Sequence, residues 1–171
     1  MDRQAVHAEI DRARASFHEL LDHASDADLR RSTNGTRWNN KQLLFHMLLG
    51  YLIVRALRGL VVTFDRLPTS ADRRFAHLLN TVSAPFDAVN YAGAWLAGTV
   101  LPRRALGALF DRAIRSLHRR LDTETDDDLA RSMHFPTRWD PFFHETMTLA
   151  DVYHFPTQHF DFHRDQLTLA R

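Results

Sequence analysis

The chain has 171 residues, 44% of them apolar, with 12 phenylalanines and 3 tryptophans, enough for one domain (1–171) around a single core. A formal charge of +1 leaves no electrostatic footprint for nucleic acid. The lack of cysteine excludes disulfides, thiolate metal sites and a cysteine nucleophile, so any metal must be held by nitrogen or oxygen.

The chain opens Met1-Asp2-Arg3-Gln4 and turns amphipathic at once, without a leader, so a soluble, cytoplasmic protein is expected. Val6, Ile10, Ala13, Phe17, Leu20 and Leu21 recur at three and four and predict a first helix from about Asp2 to Ala24. A polar stretch, 25–39, contains the turn signal Asn34-Gly35. The second helix starts near Asn40 and carries a wide apolar surface to Leu60. His46, Arg55 and Arg58 interrupt its most apolar region, which argues for a buried helix and against a membrane span.

Pro68, Pro85 and Pro102 then punctuate a connection from about Val61 to Leu101, with short helices expected after a Thr69-Ser70 cap and over Phe86–Leu96. Pro102 suits the first position of a third helix, whose buried stripe runs from Leu106 to Leu121. A fourth helix is expected from about Pro141 to Leu169, kinked or restarted at Pro156. Asp28-Leu29-x-Arg31-Ser32 followed by Thr36-Arg37-Trp38 is echoed by Asp128-Leu129-x-Arg131-Ser132 followed by Thr137-Arg138-Trp139. The echo suggests two similar helical hairpins, each with a tryptophan at the start of its second helix.

His159 and His163 lie four residues apart on the last helix, so their imidazoles point the same way, as clamping one ion requires. Two nitrogens are too few: a catalytic zinc-like site takes three protein ligands and keeps one position open. The third follows from lengths. His46 lies roughly 10 Å into the second helix and His159 roughly 27 Å into the fourth, at 1.5 Å per residue. Parallel, these helices would separate the rings by roughly 15 Å or more; antiparallel, all three meet at one level. Short loops already pair the first helix with the second, and the third with the fourth, antiparallel. The second and third are then parallel, which requires the long crossover that 61–101 supplies. The expected fold is all-α: a four-helix bundle, up-down-down-up, with a long, partly helical crossover between helices 2 and 3.

His154, five residues before His159, is a rival ligand on the wrong face of an unbroken helix. Asp161, two residues from each late histidine, faces away from them. His144 and Glu145 read as surface or cap groups, and His77 and His134 lack ligand-spaced partners. Tyr91, Trp95, Phe160 and Phe162 could line a cavity, with core packing the simpler fate for each.

The bundle order, a helix-2 histidine after a tryptophan-bearing loop, and the late His-x-x-x-His-Arg-x-Gln together resemble the DinB/YfiT-like metalloprotein superfamily. The resemblance identifies His46, His159 and His163 with that family's three metal ligands, and Arg164 and Gln166 with the residues trailing the last. Phe160, Phe162 and Asp165 depart from its commonest pattern and mark a divergent branch. It implies a divalent ion, zinc or nickel, and transfer of a low-molecular-weight thiol, such as mycothiol or bacillithiol, to a small electrophile. Three neutral imidazoles would leave the ion's charge on its open position, where a bound water or thiol loses its proton more readily. A metal-dependent hydrolase or isomerase, and a non-catalytic binding or stress-response protein, are the alternatives. A small-molecule substrate, no nucleic-acid or membrane partner, and dimerisation through a bundle face complete the expectation.

Overall fold

A computed structural model describes residues 2–169; Met1, which opens the leaderless N-terminus expected above, and the last two residues of the expected 1–171 domain lie outside them. The chain is mainly helical, with eight helices and one two-stranded ladder among the described residues. Four helices are long: α1 (Arg3–His23), α3 (Asn40–Phe64), α6 (Arg103–Leu121) and α8 (Leu149–Arg164). Between α1 and α3 lies the single turn α2 (Asp26–Arg30). The crossover is α4 (Thr69–Thr81) and α5 (Ser83–Val100). The helix α7 (Asp126–Ala130) precedes strands β1 (Ser132–His134) and β2 (Thr146–Thr148).

Side-chain pairs give the directions. His46 on α3 meets His159 and His163 on α8, and one turn on Tyr51 meets Thr157, so α3 and α8 are antiparallel. His7 sits by His118 while His18 reaches Asp111, so α1 and α6 are antiparallel too. Tyr51 packs on Phe110 and Arg58 lies across from Arg120, a parallel pairing of α3 with α6. Phe17, Tyr51, Phe110 and Phe160, each fully buried, stack where these four helices meet.

α3 is the one helix among the described residues long and apolar enough to cross a membrane. Its first half is buried inside the protein, with the polar Asn40, Gln42 and His46 among the buried residues.

The boundaries bring corrections. The last helix starts at Leu149, not Pro141, because 146–148 is drawn into an antiparallel ladder with 132–134. Thr148 then caps it, its hydroxyl accepting from the Asp151 amide while the Asp151 carboxylate accepts from Thr148. It ends at Arg164 and passes Pro156 without restarting. The connection is far more helical than its prolines suggest. Thr69 is the first residue of α4, not its cap; Pro68 stands at the N-cap position without a side-chain hydrogen bond, and Pro85 sits in the first turn of α5, where its missing N–H has no partner to lose. Phe86–Leu96 is only the middle of an 18-residue helix.

The sequence echo is real in three dimensions. α2 and α7 carry the same capping box, from Ser25 and Thr125, and the same acid–arginine pair, Asp28–Arg31 at 2.9 Å and Asp128–Arg131 at 3.0 Å. Trp38 does precede α3 directly, whereas Trp139 lies in the loop between β1 and β2, well before α8. Both indoles donate to backbone carbonyls of the crossover: Trp38 to Tyr91 at 3.3 Å and Trp139 to Leu79 at 2.8 Å.

Candidate metal centre

His46 occupies the second turn of α3, and α8 brings His159 and His163 to the same level, so that ligating atoms of the three rings lie within 4.8 Å of one another. His46 and His159 face each other Nε2 to Nε2 at 3.1 Å. That is close to the roughly 3.3 Å between two nitrogens about 2.05 Å from one tetrahedral ion. The rings are held edge to face at 4.5–4.8 Å between centroids. Gly50 permits this closeness of helices: a Cβ there would stand 3.0 Å from His159 Nδ1.

Burial keeps all three rings neutral. It pushes His46 down to about 3, with His163 adding to the effect and Asn90 opposing it weakly. His159 falls well below the ordinary histidine value through burial and then through its two neighbours. His163 is lowered by burial, against the pull of Gln166. Its Nδ1 lies 2.6 Å from Gln166 Oε1, so the proton belongs on Nδ1 and Nε2 offers its lone pair.

The donor set fits a divalent cation. The facing Nε2 atoms can share one proton at most, and His46 Nδ1 and His159 Nδ1 are both buried without a hydrogen-bond partner. Three neutral, converging imidazoles with lone pairs not otherwise used suit zinc, nickel or a similar ion.

Residues 9–167, nearly the whole chain, match the DinB superfamily. The chain belongs to the DinB superfamily. Neither a curated protein nor a solved structure matches it.

Within this DinB chain the other histidines lie elsewhere. His154 points to α1 and pairs with Glu9 at 2.9 Å. His134 holds α4 to β1 through Asp72, and His77 and His144 are exposed. Asp161 turns from the triad to a two-point ion pair with Arg12. Arg164 lies 3.9 Å from the same carboxylate, so of the two trailing residues only Gln166 touches the site. Phe160 is core, but Phe162 and Trp95 are about half exposed, against the core packing expected of them.

Three contributors to the site were not assigned to it from the sequence. Trp38 stacks on His46, 4.5 Å between centroids, and on Tyr91 beyond it; the tryptophan was noted in the repeat and in the loop before the helix-2 histidine, without a contact to that ring. Asn90 comes in from the crossover. Asp140, from the loop between β1 and β2, places Oδ2 3.7 Å from His159 Nε2. Burial pushes its carboxyl up to about 6, against the hydrogen bond from the Phe142 amide.

Proposed function

We propose that this DinB-superfamily chain is a divalent-metal-dependent thiol S-transferase that joins a low-molecular-weight thiol of the mycothiol type to a small electrophile. The observation that carries the reading is the buried convergence of His46, His159 and His163, three neutral rings with mutually facing lone pairs. These three would hold the ion. Bound there, a zinc or nickel ion supplies a positive charge that lowers the pKa of a thiol or water it meets.

The chain's own residues do the rest. Gln166 fixes the tautomer of His163. Trp38 lies flat on His46 and excludes water from that side. The absence of cysteine is consistent with sulfur brought in by a co-substrate. The same proposal takes 1–171 as one domain, a four-helix bundle in up-down-down-up order with α4 and α5 as its crossover. It takes the protein as cytoplasmic and able to dimerise, acting on a small molecule and not on nucleic acid or a membrane. The buried first half of α3 supports the last point.

Asp140 favours a second reading, a hydrolase or isomerase using water. Its carboxyl, raised to about 6 and 3.7 Å from His159, is suited to take a proton from a nucleophile at that spot.

The test is metal content by mass spectrometry on protein purified without a nickel column, for wild type, His46→Ala and His159→Ala/His163→Ala. Near one ion per chain in wild type, lost in both variants, is expected. Full metal in His46→Ala would sink the three-histidine site, and little metal in wild type would leave a non-catalytic binding protein. Consumption of an electrophile such as monobromobimane only when a thiol is present separates transfer from water-based chemistry.

A further inference from the structure

Away from the triad, α3 and α6 diverge to leave a cavity of about 510 Å³. Its walls carry four arginines: Arg55 and Arg58 from α3, and Arg119 and Arg120 from α6. Arg58 is twelve residues beyond His46, about 18 Å along the helix, so the two places are separate. We propose that this cleft is an anion site for a polyphosphate-type group, free or as the phosphate tail of a nucleotide; the proposal is independent of metal binding at the histidines.

One arginine is fixed in advance. Arg58 gives Nε and Nη2 to the two oxygens of Glu124, at 2.5 and 3.1 Å, and the Tyr153 hydroxyl donates to the same carboxylate at 3.1 Å. Glu124 is buried, so this pairing is held from behind and leaves Arg58 Nη1 available to the cleft. Arg55, Arg119 and Arg120 have no ion pair among the described residues. Cations in the last turn of α6 are favoured by the negative end of its dipole. That dipole does not account for two further arginines brought against them from another helix, where like charges repel.

A multiply charged anion resolves the repulsion. Guanidinium forks match phosphate oxygens in pairs. Several guanidinium groups facing one space favour a ligand with more than one negative charge over a lone carboxylate. The cavity has room for a diphosphate with a nucleoside attached.

The test is calorimetric titration of the full chain with sodium pyrophosphate and with ADP, ionic strength held constant with sodium chloride. Wild type, His46→Ala, Arg55→Glu and Arg119→Glu would be compared; both arginines are exposed, so the reversals leave packing intact. The expected result is one saturable site per chain, weakened at least tenfold by either reversal and unchanged in His46→Ala. Tighter binding of ADP assigns the group to a nucleotide; equal or weaker binding assigns it to the free anion. Absence of saturable binding, or affinity indifferent to both reversals, overturns the proposal. So does tighter binding of a duplex DNA fragment through the same arginines.

Discussion

His159 Nε2 faces two electron-rich neighbours: His46 Nε2 at 3.1 Å and the Asp140 carboxylate at 3.7 Å. The histidines were legible because a four-residue spacing fixes a shared face. Asp140 was not, since nothing in Trp139-Asp140-Pro141 shows which way a loop folds. The cost of burying its charge gives a test. Its folded pKa, about 6, lies above the ordinary carboxyl value of 3.8, so the unfolded state gives up the proton first as pH rises. Asp140 therefore lowers stability progressively between about pH 4 and pH 6 and by its full amount above that. In chelator-treated protein, Asp140→Asn should raise the melting temperature at pH 7.5, with about 3 kcal/mol as the ceiling. The gain should shrink by pH 4.5. Calorimetry at the two pH values checks this, and a lower melting temperature for the variant at pH 7.5 would show that the site needs the charge.

Among the elements, the long helices were readable from periodicity because each buries one stripe against its neighbours. The start of α8 was misread because Phe142, Phe143 and Met147 look like part of an apolar stripe, while tertiary pairing with β1 holds 146–148 extended. The signal that could have placed it is Thr148-x-x-Asp151, a capping box in plain sequence. The crossover was undervalued for the opposite reason: Pro68 and Pro85 break a helix interior but are harmless at its start. How closely α5 lies on α3 depends on Gly98, where a Cβ would be 2.5 Å from the backbone Cα of Gln42. Gly98→Ala must push the helices apart. A loss of about 1–3 kcal/mol is expected, seen as a melting temperature lower by about 5 °C. An unchanged value would mean that the crossover gives way freely.

For the molecule as a whole, the reasoning from level and direction brought His46 to His159 even though the length assigned to His159 was wrong. With α8 starting at Leu149, His159 lies about 15 Å along it, not 27, and His163 is next to its end. The conclusion survived because the direction is right: His46 meets His159 and, one turn on, Tyr51 meets Thr157, so α3 and α8 run antiparallel. An ion held between those helices would act as a cross-link. Chelator should then lower the wild-type melting temperature by about 10 °C at metal concentrations far above Kd, and leave His46→Ala unmoved. An equal fall in both would place the metal elsewhere.

The two repeat tryptophans grip main-chain oxygens of the crossover, at Tyr91 and Leu79. A carbonyl is there whatever side chain is attached to it. Both clamps can therefore persist while the residues of α4 and α5 drift, and Asn90, beside His46, and Tyr91, against Trp38, are among those left free to change. Evolution can re-letter that wall while the three histidines stay in register, so one scaffold could pass from one small molecule to another without rebuilding its centre.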